Sequence, residues 1–224
     1  MDITSKQPRS IEDAELEAVA SLIEIARNAG FEAVGSTAAS QLAVKPEVRA
    51  MCAADRCHAY GKSWVCPPAC GSLDAFTLLI AAKETAVIVQ TVAWLEDEFD
   101  IEGMQEAEQL HKKRFARFAQ AISAFLDEAA DKQDALGAAS NGCATTNTAA
   151  CEPQSDKPTP LFLAAGSCTV CPACTYPDEP CRFPEKAFVS LEAAGLVVSE
   201  VCESADIPYY HGKGSISYTS CVLI

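Results

Sequence analysis

Thr85-Ala86-Val87-Ile88-Val89-Gln90-Thr91-Val92-Ala93-Trp94 is the stretch that decides the fold. Ala86-Val87-Ile88-Val89 is a continuous apolar run, the pattern of a strand buried on both faces. Working outward, residues 11–28 carry Leu16, Val19, Leu22, Ile23 and Ile25 at helical spacing, with Ser10 as N-cap and Gly30 as the stop. A short strand is expected over 31–34. Ser72 caps a helix over 73–82. The longest predicted helix spans 103–130, with Met104, Ala107, His111, Phe115, Phe118, Ile122 and Phe125 on one stripe. Residues 161–165 read as a strand. Pro184 opens a helix that runs to Ala194, with Gly195 as its C-cap. Residues 196–202 and 215–224 read as strands. Helices alternating with short apolar strands predict an α/β fold: one domain over 1–224, with a mixed sheet flanked by helices. No internal repeat is evident.

Length and charge narrow the function classes. A chain of 224 residues with 49% hydrophobic content supports one domain with a real core. No apolar run reaches the ~18 residues of a membrane span. The net charge of −14 argues against nucleic acid and against an anionic membrane surface. Glu96, Asp97, Glu98, Asp100, Glu102, Glu106 and Glu108 crowd one stretch. Such a run is usually a solvated face, and it also suits the steering of a basic partner, as in electron carriers. Residues 131–160 are rich in Ala, Ser, Thr, Asn, Gly and Pro and read as a flexible insertion. Cys143 and Cys151 lie inside it and are poor ligand candidates. The first fifteen residues are polar, with Asp2, Glu12, Asp13 and Glu15 and no apolar signal core. The expected compartment is the reducing cytoplasm.

The chemistry lies in the cysteines. Cys168, Cys171, Cys174 and Cys181 form C-x2-C-x2-C-x6-C. Three thiolates at three-residue spacing close around one face of a compact cluster, and the fourth returns after a proline-bounded turn. An iron–sulfur cluster is the leading reading. Zinc usually draws on two separated pairs and is the first alternative. A disulfide framework is the second, but twelve cysteines in 224 residues is below the density of a small disulfide scaffold.

Upstream, Cys52, Cys57, Cys66 and Cys70 form C-x4-C-x8-C-x3-C. This spacing suits a second cluster, a structural zinc, or three ligands with a spectator thiol. Pro67 and Pro68 fix the backbone after Cys66, and Gly61 and Gly71 allow tight turns that free amides toward sulfur. Trp64 is a candidate to exclude solvent from the site, or simply a core residue. Lys62 is a candidate to offset its negative charge, or simply a surface residue. His58 reads as a neighbour of ligand Cys57 rather than a ligand.

The stretch 48–76, with C-x4-C, Tyr60-Gly61-Lys62, Trp64 and Cys66-Pro67-Pro68, resembles the family catalogued as domain of unknown function 2284. So does 166–187, with Tyr176-Pro177 and Pro180-Cys181-Arg182-Phe183-Pro184, and so do Tyr209-Tyr210 and 217–224. The resemblance covers most of the chain. It implies a metal-binding protein without a defined reaction. Residues 131–160 depart from the pattern as an insertion. Cys70 is not expected in every member, so the fourth upstream ligand stays open.

The leading expectation is an iron–sulfur protein, with two [4Fe–4S] clusters, that carries electrons or serves as the redox partner of another enzyme. Four cysteine ligands leave no open iron, which favours electron transfer over substrate binding. Arg182, beside the fourth downstream ligand, and Lys62 are candidates to tune potential or dock a partner protein. One alternative is an enzyme with an open-site cluster on Cys52, Cys57 and Cys66, and with His58, His111 or His211 moving protons. The other is a zinc-stapled interaction module. His111 on its apolar stripe is otherwise a core histidine satisfied by a backbone carbonyl. Cys202 and Cys221 read as core. Loop 209–214 lacks the spacing of a phosphate loop. Its rings and His211 line a pocket or merely cover the core.

Overall fold

The computed structural model describes residues 11–137 and 159–224. Its elements are α1 (Ile11–Asn28), β1 (Ala33–Ala38), α2 (Pro46–Cys52), α3 (Leu73–Ala81), β2 (Thr85–Trp94), α4 (Ile101–Gly137), β3 (Leu161–Ala164), β4 (Val189–Ser190), α5 (Val198–Ser204) and β5 (Ser215–Leu223). Two short 3-10 turns cover Ala39–Gln41 and Pro184–Lys186. The strands form one sheet in the order β1-β2-β5-β3-β4. β5 is antiparallel to β2 and to β3, whereas β4 is parallel to β3, so the sheet is mixed. The fold class is α/β.

β2 spans the predicted residues, and burial on its two faces explains why. Ala86 and Ile88 enter one core with Phe76 and Ile80 of α3, Val201 and Cys202 of α5, and Cys221 and Leu223 of β5. Val87 and Val89 enter a second core with Leu22 and Ala26 of α1, Phe115, Phe118 and Ile122 of α4, and Val222. Each fully buried large side chain contributes roughly 1.5–3 kcal/mol by leaving water. The α4 stripe is buried as its spacing requires. On α1 the burial begins later than expected: Leu16 is exposed.

The helix starts follow local chemistry. The Ser72 hydroxyl accepts from Ala75 N–H at 3.1 Å and caps α3. Asp100 Oδ1 accepts from Gly103 N–H at 2.8 Å at the start of α4. Ser10 lies outside the described residues. So do Cys143, Cys151 and most of the expected insertion, although α4 runs on to Gly137.

Two expectations are corrected. Residues 184–194 are not a helix: after the Pro184–Lys186 turn, Val189 pairs with Leu163 as a sheet edge. The chain then turns so that Leu191, Ala194 and Leu196 are buried. The Ser190 hydroxyl accepts from Ala193 N–H at 3.1 Å within this turn, a local bond that competes with helix continuation. Residues 196–202 are not a strand: α5 begins at Val198. Val201, Cys202 and Ala205 are buried and Val198 packs against them, a spacing of three, four and seven that is helical.

Register places the cysteine loops. β2 and β3 run in the same direction, both antiparallel to β5. Their C-terminal ends point the same way, with Leu163 near the end of β3 level with Ile88, midway along β2. The downstream cysteines leave from that end of β3, as ligand loops commonly do in α/β sheets. Among the described residues, no helix is long and apolar enough to cross a membrane.

Candidate metal centre

The upstream loop between α2 and α3 is built from turns with almost no regular structure. Asp55, His58, Gly61 and Gly71 all have positive φ. Asp55 organises the loop: it accepts from Tyr60 N–H at 2.9 Å, and Lys62 Nζ lies 3.5 Å from its second oxygen. The Tyr60 amide, with Lys62 after it, holds the Asp55 carboxyl below its ordinary range. The downstream loop is held by its own cross-ties. The Thr175 hydroxyl donates to Pro180 O at 2.9 Å, and Arg182 Nη1 donates to Ala173 O at 3.2 Å.

Trp64 joins the two loops. Its Nε1–H donates to Glu179 O at 3.0 Å, and its ring meets Tyr176 edge-on at 4.9 Å. Trp64 is therefore a clasp between loops, only half-buried, and not a core residue. Beneath it the loops enclose a cavity of about 230 Å³. Cys57, Cys168, Cys171, Cys174 and Cys181 line this cavity together, with His58, Lys62 and Arg182 around them.

The thiols of each group lie within electrostatic reach of one another. Burial pushes the Cys66 thiol up to about 11, with Cys57, Cys70 and Cys52 adding to the rise and the Ser63 hydroxyl opposing it. Burial also raises Cys52, with Glu192 and Cys57 adding to it, and raises Cys70; the Arg49 guanidinium opposes both shifts. Burial raises Cys168, and Cys181, Cys171 and Cys174 add to it. Cys174 goes the other way. Some burial opposes its ionisation, but the amides of Tyr176, Trp64 and Thr175 and the Ser63 hydroxyl together hold it below the ordinary thiol value. Amides from both loops thus converge on one sulfur, the arrangement that tunes a metal-bound thiolate.

All ten cysteines among the described residues are free thiols. Among the described residues, no three His, Cys, Asp or Glu side chains are gathered closely enough to hold a single metal ion as they stand. The donor set fits a soft metal or a metal–sulfur group: thiolates, amides aimed at sulfur, and a nearby cation.

That cation is Arg49, which the sequence reading passed over. It reaches from α2 to Ala193 O through Nε and to Gly71 O at 2.8 Å through Nη1. Its guanidinium lies 5.7 Å from the Phe76 ring centre, and its Nη2 is buried without a hydrogen-bond partner among the described residues. The readable signal was helical spacing: Arg49 is three residues before Cys52 on α2, hence on the same face. Lys62, the expected cation, is exposed and tied to Asp55 and the His58 carbonyl. Ser63 was also missed; it is buried beside Cys66 and Cys174.

The remaining candidates separate. His111 is fully buried, and it is satisfied by hydroxyls: Nδ1 is 3.0 Å from Thr91 Oγ1 and Nε2 is 2.7 Å from Ser220 Oγ. Burial, then Arg114 and Lys112, push its pKa down to about 3. His211 Nε2–H donates to Gln90 Oε1 at 2.6 Å, so it covers a buried polar group, and it is not among the residues that line the cysteine cavity. Cys202 and Cys221 are buried core. The acidic run is largely a solvated face, with Asp100 at the start of α4 and Glu108 paired to Lys112 at 2.6 Å.

Neither the curated proteins nor the solved structures provide a match to this chain. A family model described as predicted metal-binding protein (DUF2284) matches residues 36–159 and 153–224, spanning both cysteine loops. The chain therefore belongs to the family of predicted metal-binding proteins known as domain of unknown function 2284.

Proposed function

We propose that this is a cytoplasmic iron–sulfur protein that carries electrons, or serves as the redox partner of another enzyme. The observation that carries the reading is the convergence of both loops, with five cysteines around one cavity, behind the Trp64 clasp. Cys168, Cys171, Cys174 and Cys181 hold one cluster. Cys52, Cys57, Cys66 and Cys70 hold the second. Each bound [4Fe–4S] cluster supplies one-electron transfer.

The surrounding residues have separable roles. Trp64 and Tyr176 keep water from the cavity. The amides of Trp64, Thr175 and Tyr176 favour the thiolate of Cys174. Arg49 offsets negative charge at Cys52 and Cys70. Lys62 and Arg182 lie at the cavity and face a docking partner protein. The exposed acidic stretch beyond β2 offers an acidic surface to a basic patch on that partner.

Paired cysteine variants test this. C171S/C174S and C52S/C66S are purified without oxygen and compared for iron, sulfide and dithionite-bleachable absorbance. Each pair is expected to lose about half of all three, because each removes ligands from one of two cysteine groups. Zinc at either loop, with no sulfide and no response to dithionite, would sink the redox reading and leave a zinc-stapled module.

A further inference from the structure

A second cavity, about 800 Å³, opens between α4 and β3. Its volume falls in the range of small-molecule sites. Its wall includes three phenylalanines: Phe115 on α4, Phe162 on β3, and Phe188 in the segment just before β4. The ring centres of Phe115 and Phe188 are 5.5 Å apart at 82°, those of Phe115 and Phe162 are 6.3 Å apart at 81°, and those of Phe162 and Phe188 are 5.4 Å apart. Phe162 and Phe188 are only half-buried, so ring surface remains open to the cavity.

The lining of this cavity is less acidic than the molecule as a whole. In a chain of net charge −14, its lining carries two lysines and one carboxylate, that of the exposed Glu185. Lys112 is engaged, by Glu108 at 2.6 Å and by the Ser167 carbonyl at 2.7 Å. Lys186 is exposed, lies 5.3 Å over the Phe183 ring, and forms no ion pair among the described residues. Ser167, Cys168 and Val170 line this cavity and the metal cavity alike, so one strip of chain divides the two.

We propose that the larger cavity is a binding site for a small planar aromatic anion. Its ring packs on the three-phenylalanine wall, its anionic group pairs with Lys186, and it lies across Cys168 from the metal centre. Aromatic packing and the Lys186 ammonium supply recognition. The site stands whichever metal the cysteines hold.

The test titrates the anaerobically purified full chain with anilinonaphthalene sulfonate, an aromatic anion, and follows its fluorescence. Metal content is measured on the same samples, so failure of the metal reading is seen separately. One saturable site is expected. Ala116→Trp and Gln120→Trp, on the exposed α4 wall of the cavity, each weaken binding about tenfold or more, and Lys186→Glu weakens it about tenfold, roughly 1.4 kcal/mol. Phe99→Ser, at an exposed apolar residue elsewhere, leaves binding unchanged. Circular dichroism confirms that each variant is folded. Unsaturable binding, binding unaffected by both tryptophans, or loss in Phe99→Ser overturns the site. Full binding by Lys186→Glu overturns its selectivity for an anion.

Discussion

Cys174 and Cys221 put the same thiol into opposite surroundings. Cys174 is exposed, and amides from two loops hold its pKa below the ordinary thiol value despite some burial. Cys221 is fully buried in the sheet core, and burial alone pushes its pKa well up. Cys174→Ser is expected to strip metal from the downstream loop while the core stays folded. Cys221→Ser is expected to keep the metal and lose about 1–3 kcal/mol of stability, because a buried hydroxyl gains no sure partner. Denaturant unfolding and metal analysis of the two variants check this reversal. Such contrasts were partly readable in the sequence: Cys221 stands in an apolar run, Cys174 among prolines. The spacing of Arg49 to Cys52 was readable, but its bonds to Gly71 and Ala193 were not, nor was the place of Ser63 beside Cys174, because the fold alone brings these groups together. His111 yields a pH prediction. Its folded pKa of about 3 lies below the ordinary histidine value near 6.5. Between those values the unfolded chain binds a proton that the folded chain refuses. Stability therefore falls as pH drops through this window, by up to ~1.4 kcal/mol per pH unit from this residue. Unfolding curves for wild type and His111→Gln, run from pH 7 to pH 4, should show a shallower slope in the variant.

At the scale of elements, strong local pattern and tertiary demand agree in some places and conflict in others. β2 was readable to the residue because four consecutive apolar side chains need cover on two faces. The α4 stripe was readable for the same reason. Residues 184–194 misled because Pro184 resembles a helix start, while Val189 is needed as an edge partner for Leu163. α5 misled because Val197-Val198 favours a strand locally, while burial of Val201, Cys202 and Ala205 sets a helical period. The contact of β1 with the end of α5 sharpens this. A Cβ on Gly35 would lie 2.3 Å from the Ala205 carbonyl oxygen. Gly35→Ala is thus expected to cost about 1–3 kcal/mol through overpacking, read as a lowered Tm with metal content retained. Trp64→Ala should act on the loops instead: metal is lost faster to a chelator, while the thermal transition of the sheet core moves little. A large drop in core stability would show that Trp64 is a packing residue and not a clasp.

For the whole molecule, topology sets the direction in which the chemistry leaves the sheet. β2 and β3 point the same way, so the cysteine run after β3 and the acidic stretch after β2 leave the sheet from the same side. The sequence displayed each cysteine group separately. It did not show that Cys57 joins the downstream four around one cavity, or that a second cavity shares Cys168, since both depend on how distant loops dock. The central claim is that these cysteines hold iron and sulfide. The most direct measurement is iron, zinc and acid-labile sulfide per chain on protein purified without oxygen. Two clusters require about eight iron and about eight sulfide, with absorbance that dithionite bleaches. One or two zinc ions per chain with neither iron nor sulfide would contradict it.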